Sequence, residues 1–195
     1  MESCDIKGAT TPMTISVQTM LSGLFLIIAL LAALSIVFSS WRNGISPMPT
    51  SAPVRHAVIA ELSKLNGIET IIEAGSGWGT LAFQASRLNP GWRIIGIENS
   101  PVPLAVSRLM SRWQSNRNTV FIKKDLYEYS FEEADAVLCY LYPGAMNRLG
   151  PIFREKLALG TYVISICFAL PGWTPERVVT CRDMYRTKIY LYKSL

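Results

Sequence analysis

The distribution of hydrophobic residues divides the chain into an N-terminal apolar segment and a longer region of alternating patterns. Residues Met20 to Phe38 are almost wholly apolar, and no charged residue occurs between Gly8 and Trp41. A stretch of this length is sufficient to span a bilayer as an α-helix. It also has no polar face of the kind that a helix in a soluble core usually shows. The pattern predicts a transmembrane anchor over residues 20–40.

A cleaved signal peptide is the alternative for this segment. The short tail that precedes it, residues 1–19, carries two acids and one lysine where a signal peptide has a basic region, so the anchor is favoured. The flank that follows the apolar run is richer in basic residues than in acidic ones. The positive-inside rule therefore predicts a single-pass membrane protein whose C-terminal domain lies on the cytoplasmic or matrix side.

The rest of the chain predicts one α/β domain, residues 54–195, after a linker rich in Pro and Ser at residues 41–53. Short apolar runs alternate with amphipathic segments of helical spacing, which predicts a mostly parallel sheet with helices on both faces. The predicted strands are Thr70–Ala74, Arg93–Glu98, Thr119–Lys123, Ala136–Leu141, Tyr162–Phe168 and an antiparallel edge pair, Arg177–Cys181 and Lys188–Tyr192. The predicted helices are Val54–Leu65, Thr80–Leu88, Pro101–Gln114 and Ala145–Leu157.

The most informative stretch is the glycine-rich turn EAGSGWG, residues 73–79, between the first strand and the helix that follows it. Alternating glycines are destabilising unless a backbone must come close to a ligand. The unpaired N–H groups of the new helix then point at that ligand. The spacing of the glycines is G-x-G-x-G, whereas a dinucleotide fingerprint is G-x-G-x-x-G. Glu98 ends the second strand, where a carboxylate can accept both hydroxyls of a ribose. A tight turn that merely joins strand and helix is the alternative.

An acid two residues before the glycines, together with the strand-end Glu98, resembles motifs I and II of class I S-adenosylmethionine (SAM)-dependent methyltransferases. The resemblance implies a Rossmann-like fold and SAM rather than NAD as the cofactor. In that family an acid at the position of Asp125 faces the adenine, although an Asp at a strand exit is also a common turn former. The residues implied to bind the cofactor are Glu73, Gly75, Ser76, Gly77, Gly79, Glu98, Asn99, Asp125 and Leu126.

The fourth predicted strand ends in aromatic residues, Tyr140 and Tyr142, followed by Pro143. In many amino-methylating enzymes this position holds an Asn/Asp-Pro-Pro-Tyr motif beside the transferred methyl group. Aromatic walls can hold a lysine side chain there, and desolvation favours its neutral, reactive form. We therefore assign catalysis-related roles to these three residues, with simple packing as the alternative. No His or pair of carboxylates stands out as a general base, so positioning and exclusion of water are expected to dominate catalysis.

Several further motifs resemble the lysine methyltransferases of the ATP synthase c-subunit and of the adenine nucleotide translocase, and their bacterial relatives. They are Lys-Asp-Leu after the third strand, an aromatic-x-x-Pro with Met three residues later, and Phe-x-Leu-Pro-Gly-Trp after the fifth strand. The resemblance covers about residues 47–175. This chain departs from the family pattern at Trp78, where an acid is usual, at Cys167, where a basic residue is usual, and at Ala169, where a proline is usual.

Composition and residue spacing argue against two kinds of site, a nucleic-acid interface and a metal site. From residue 40 onward the chain has 18 Lys or Arg against 12 Asp or Glu, which suits a domain near an anionic leaflet. It has no basic-aromatic stripe of the kind that RNA-binding sheets use, so no nucleic-acid partner is predicted. The cysteines, Cys4, Cys139, Cys167 and Cys181, and the single His56 lack metal-ligand spacing. No metal site is predicted.

The sequence thus predicts a membrane-anchored SAM-dependent methyltransferase that modifies a lysine of a membrane protein. The family resemblance implies a substrate like the ATP synthase c-subunit, with the lipid bilayer as a partner. Two alternatives remain open at this stage. One is a methyltransferase for a lipid or a small lipophilic metabolite, which the anchor also suits. The other is a non-catalytic membrane adaptor that has kept the fold.

Overall fold

The computed structural model describes residues 17–114 and 118–195. Most of the predicted N-terminal tail, residues 1–16, and with it Cys4, lies outside the described residues. The chain divides into two units, Met1–Leu34 and Ser35–Leu195. The described part of the first unit belongs entirely to a long helix, α1 (Val17–Asn43). Within the described ranges, α1 is the helix long and apolar enough to cross a membrane. Its most apolar 18-residue stretch has a mean hydropathy of 2.8 and no buried residue.

The second unit is a seven-stranded sheet flanked by helices, as its alternating pattern predicts. Its strands run in the order β3-β2-β1-β4-β5-β7-β6. Strands β1 to β5 are parallel, and β7 is antiparallel to both β5 and β6. The elements are α2 (Ala52–Leu62), β1 (Thr70–Ala74), α3 (Thr80–Leu88), β2 (Arg93–Glu98), α4 (Pro101–Trp113), β3 (Thr119–Lys123), β4 (Ala136–Cys139), α5 (Pro143–Lys156), β5 (Tyr162–Ile166), β6 (Arg177–Thr180) and β7 (Lys188–Lys193).

The predicted fold class is confirmed, and several elements differ from their predicted bounds by up to three residues. The helix predicted over Val54–Leu65 runs instead from Ala52 to Leu62. β4 ends at Cys139 rather than at residue 141, and β5 ends at Ile166 rather than at residue 168. β5 stops because Cys167 has a left-handed φ of 73°, which is incompatible with an extended strand. α5 begins at Pro143, two residues earlier than predicted, because a proline suits the first turn of a helix.

The sheet has a buried cluster of side chains on each face. One face is covered by α2, α3 and the start of α4, and the other by α5 and the chain that leads into β4. The largest fully buried side chains include Phe131, Phe153 and Tyr192, all on the α5 face. Because the central strands β1, β4 and β5 are buried on both faces, their side chains are apolar at most positions. Polar side chains on the sheet are therefore concentrated where the strands end, and the candidate site lies there.

Candidate active site

A cavity of about 490 Å³ lies at the carboxyl ends of the parallel strands. This is the edge of an open α/β sheet where ligands bind. The cavity is lined by the glycine turn, the ends of β2, β3, β4 and β5, the start of α5, and the segment that follows α1. Most of the predicted site residues line it, namely Glu73, Gly75, Ser76, Gly77, Glu98, Asn99, Asp125, Leu126, Tyr140 and Tyr142.

The glycine turn has left-handed backbone and, at Gly77, open space where a side chain would stand. Gly75 and Gly77 have φ values of 74° and 51°, which an L side chain rarely adopts. The amides of Gly75 and Ser76 both donate to the carbonyl of Ile97, at 3.0 and 2.9 Å, so the turn is fastened to β2. The Ser76 hydroxyl is buried and has no hydrogen-bond partner among the described residues. This hydroxyl lies beside Gly96 of β2, where an added Cβ would be 2.8 Å from it.

Both carboxylate oxygens of Glu98 accept hydrogen bonds from backbone amides at the edge of the cavity. Its Oε2 accepts from the Gly77 amide at 2.7 Å, and its Oε1 accepts from the Ser100 amide at 2.7 Å. The side chain is 7% exposed. Next to it, the Asn99 amide forms a reciprocal pair with Asn43 at the end of α1, at 2.7 and 3.1 Å. The predicted ribose carboxylate therefore also fixes the glycine turn to the end of β2.

Glu73 is a buried carboxyl that caps α3. The residue at the N-cap position, Gly79, has no side chain to satisfy the first helical amides. Glu73 fills this role from β1, since its Oε2 accepts from the Ala82 amide at 3.1 Å. Burial raises the pKa of Glu73 to about 8; the nearby charge of Glu98 adds to this rise and the Ala82 amide opposes it. The carboxyl is thus poised between its neutral and charged forms near neutral pH.

Another part of the cavity wall is aromatic. Tyr127, Tyr140, Tyr142 and Phe168 line it. The side chains of Tyr127 and Tyr142 are hydrogen-bonded, and burial, followed by Tyr142, raises the pKa of Tyr127 to about 12. The Arg148 guanidinium lies 3.5 Å from the centre of the Tyr127 ring. Burial also raises the pKa of Tyr140, so the phenols of Tyr127 and Tyr140 stay neutral at physiological pH.

Other predicted site residues have visible structural roles. Asp125 accepts from the Tyr127 amide at 2.9 Å, the bond of an Asx turn, and also lines the cavity. Two predicted residues are not among the residues that line the described cavity. Gly79 lies behind the turn, where an added Cβ would meet the Phe121 ring at 2.6 Å. Pro143 starts α5 and has Tyr142 before it as the N-cap residue.

The segment after α1, residues 44–51, is a wall of the cavity rather than a free spacer; we call it the strap. Its residues 45–48 and Thr50 line the cavity, as do Arg42 and Asn43 before it. The Trp78 indole Nε1 donates to the Pro47 carbonyl at 2.5 Å. The Thr50 amide donates to the Thr80 hydroxyl at 3.3 Å. The sequence predicted only a linker over this segment.

Tyr127, Arg148 and Phe168 were also missed, although each follows a strand end or lies on the helix after one. The sequence signal that could have identified them as site residues is their position after the ends of the third, fourth and fifth strands. In the described ranges, no group of three or more His, Cys, Asp or Glu side chains is arranged to hold a metal ion. Cys139, Cys167 and Cys181 are free thiols, and Cys167 lines the cavity.

Comparison with known proteins identifies the family. A protein-lysine N-methyltransferase of Saccharolobus islandicus is 25% identical over 149 residues, which are 74% of this chain and 91% of that protein. The lysine N-methyltransferase of the ATP synthase c-subunit from Homo sapiens is 26% identical over 111 residues, which are 56% of this chain and 46% of the human protein. This chain therefore spans less than half of the human relative.

A solved structure gives the same picture. The RNA methyltransferase from Salinibacter ruber in complex with S-adenosyl-L-homocysteine is 31% identical, with a TM-score of 0.67 over 75% of this chain and 93% of its own. The profile of the family described as the ANTKMT methyltransferase domain matches residues 73–177, more than half of the chain. The protein described here belongs to the ANTKMT methyltransferase domain family and uses S-adenosylmethionine as its methyl donor.

Proposed function

We propose that this protein is a membrane-anchored protein-lysine N-methyltransferase that acts on a membrane protein. One observation carries the proposal: a single cavity is lined both by a glycine turn with two acids and by four aromatic side chains. The first set of residues suits a nucleoside with a charged amino-acid tail, and the second suits a long aliphatic amine. A methyl donor and a lysine side chain can meet in this cavity.

The polar end of the cavity would hold the cofactor. The glycine turn at Gly77 would lie against its methionine part, with Glu73 behind it. Glu98 would accept the ribose hydroxyls, and Asn99, Asp125 and Leu126 would contact the adenine. One feature supports this assignment: no described atom stands within 4 Å of a Cβ added at Gly77, so the backbone there leaves room for a ligand. The bound cofactor supplies a methyl group on a positively charged sulfur.

The aromatic end would position the acceptor amine. Tyr140 and Tyr142 would pack along the aliphatic part of a lysine side chain, and Phe168 would pack against it from a third side. Water is excluded from such packing, and desolvation lowers the pKa of a lysine amine toward the neutral form that can attack. Pro143 would act by fixing the start of α5, and with it Tyr142. Catalysis then rests on alignment and desolvation, and the released proton passes to solvent.

Membrane attachment is the remaining part of the proposal. The helix α1 has the length and hydropathy of a membrane span, and the described β-α units follow one another without an inserted substrate-recognition domain. A tether restricts a catalytic domain, residues 54–195, to targets near the bilayer by raising their effective concentration. The human relative is named for the ATP synthase c-subunit, which makes a lysine of a c-subunit-like protein the first candidate. The catalytic domain would lie on the cytoplasmic or matrix side.

The proposal is tested with membranes that lack this protein. Purified full-length protein and donor with a labelled methyl group are added, and label is followed separately in protein, lipid and RNA. We expect label in protein, as methylated lysine found by mass spectrometry. Label confined to lipid would establish the lipid alternative, and label confined to RNA would match the substrate class named for the Salinibacter relative. Either result would overturn the lysine proposal.

A matched pair of variants makes this assay specific. Glu98→Gln changes a carboxylate that would bind the ribose, and Glu128→Gln makes the same change at an exposed position outside the cavity. Losing charge-assisted bonds to hydroxyls costs on the order of 1.5–3 kcal/mol each. We expect Glu98→Gln to weaken cofactor binding at least tenfold in calorimetry, with Glu128→Gln unchanged. Equal affinities would place the cofactor elsewhere, and tight NADH binding would support the dinucleotide interpretation.

A further inference from the structure

The strap is fastened to the elements that would hold the cofactor. Directly before it, Asn43 pairs with Asn99 and also donates to the Ser100 hydroxyl at 3.2 Å, so the chain is bound there to the end of β2. Near its middle, the Pro47 carbonyl accepts from Trp78 in the glycine turn. At its end, the Thr50 amide donates to Thr80, the first residue of α3. The strap thus crosses the cavity from the proposed ribose site to the proposed methionine site.

Trp78 forms the hydrogen bond near the middle of the strap. Its position in the glycine turn directs its side chain toward the strap. It lies between two glycines that both have left-handed backbone, Gly77 and Gly79, and it is not among the residues that line the cavity. An indole N–H is a donor only, so it needs an acceptor wherever it is partly buried. The Pro47 carbonyl supplies one at 2.5 Å. Trp78 therefore contacts the strap rather than the ligand space.

We propose that Trp78 is a positioning residue that latches the strap over the bound cofactor, so that release of the demethylated product requires this latch to open. The inference rests on the proposed placement of the cofactor. It gives a role to a residue that stands where the family resemblance places an acid. An ionised acid at this position would be an acceptor and could not donate to a backbone carbonyl, so this chain has a fastening that the usual residue cannot form.

The expected size of the effect follows from the strength of one hydrogen bond. A typical intramolecular hydrogen bond changes an equilibrium by about 2- to 12-fold. Removing the indole N–H should therefore raise the population of the open strap by that factor. If opening precedes release, the dissociation rate of S-adenosylhomocysteine rises by the same factor. The melting temperature should change little, because the ring of a replacement phenylalanine still packs against the turn.

The test compares Trp78→Phe with Trp113→Phe in the full-length protein in detergent. Trp113 is 87% exposed at the end of α4, so its replacement is a matched control outside the site. We expect stopped-flow measurements to show S-adenosylhomocysteine leaving Trp78→Phe about 2- to 12-fold faster than wild type, and proteolysis within residues 44–51 to accelerate. The control should match wild type in both measurements.

A second measurement does not depend on any variant being stable. In the wild-type protein, hydrogen exchange of the strap amides should slow when S-adenosylhomocysteine saturates the site. Strap exchange that is indifferent to the ligand, or dissociation rates equal in Trp78→Phe and the control, would overturn the latch while leaving the proposed function intact. Failure of the wild-type protein to bind S-adenosylhomocysteine would instead overturn the proposed cofactor placement, and the latch with it.

Discussion

At the scale of single residues, the site depends on polar groups that have both a structural and a chemical role. Glu98 fixes the glycine turn through Gly77 and would also bind the ribose. Glu73 caps α3 and lies at the floor of the cavity. A sequence motif marks such residues but does not reveal which role dominates. Their ionisation behaviour gives a way to separate the two.

Glu73 should make the stability of the domain depend on pH. Burial raises its pKa from 4.5 to about 8, so between these values the folded chain holds a proton that the unfolded chain has released. Stability then falls as pH rises through this window, by up to about 1.4 kcal/mol per pH unit, and levels off above it. Glu73→Gln resembles the neutral form and should remove this contribution. Thermal unfolding at pH 5 to 8.5 measures the difference, and parallel curves for the two proteins would contradict the prediction.

At the scale of elements, strands were predicted well where apolar runs end at turn residues. The bounds of β1, β2, β3 and α3 match the predicted ones. The ends of β4 and β5 were overextended because hydrophobic residues continue past the point where the backbone leaves the sheet. Cys167, with its left-handed φ, gives no signal of this in sequence. Propensity describes what a segment favours locally, and the tertiary environment decides where it ends.

The strap shows a second limit of sequence interpretation. Its Pro and Ser content is typical of a linker, and its neighbours in the chain give no reason to expect otherwise. Its role depends on contacts with distant residues, such as the bond from Trp78 to Pro47. The glycine turn was identifiable because its function resides in local backbone geometry. A wall built from several distant segments has no comparable local signature.

The strap also contacts the aromatic end of the cavity, which gives a testable link between elements. Gly44 has a φ of +71°, and a Cβ added there would lie 3.1 Å from the ring of Tyr142. Gly67 has a φ of +74° with nothing described within 4 Å of an added Cβ. Both Gly44→Ala and Gly67→Ala should lose about 1–2 kcal/mol of stability through backbone strain.

The two alanine variants should differ in catalysis. Only Gly44→Ala displaces Tyr142, so only this variant should lower kcat for methylation, by several-fold, at saturating donor. Methylation rates and melting temperatures of both variants measure the two effects separately. Equal kcat values, with equal losses of stability, would show that the position of Tyr142 is not sensitive to the strap.

At the scale of the whole molecule, the end of α1 and the strap belong to the catalytic unit. That unit starts at Ser35, whereas the linker composition placed the start of the domain at residue 54. The position of a truncation therefore decides whether these residues of the catalytic unit are kept. Removal of residues 1–34 retains Asn43 and the strap, while removal of residues 1–42 also deletes Arg42, which lines the cavity, and leaves Asn43 as a terminus.

We expect both truncated forms to fold without the apolar segment, because the sheet and both of its buried clusters lie beyond it. The shorter deletion should bind S-adenosylhomocysteine as the full-length protein does, and the longer one several-fold more weakly. On membranes, the form that lacks residues 1–34 should methylate membrane proteins much more slowly, since the effective concentration provided by the tether is lost. On a soluble lysine peptide, this form and the full-length protein should have equal rates. Equal rates on membranes would remove the tethering argument, and a loss of peptide activity would show that residues 1–34 take part in the fold of the site.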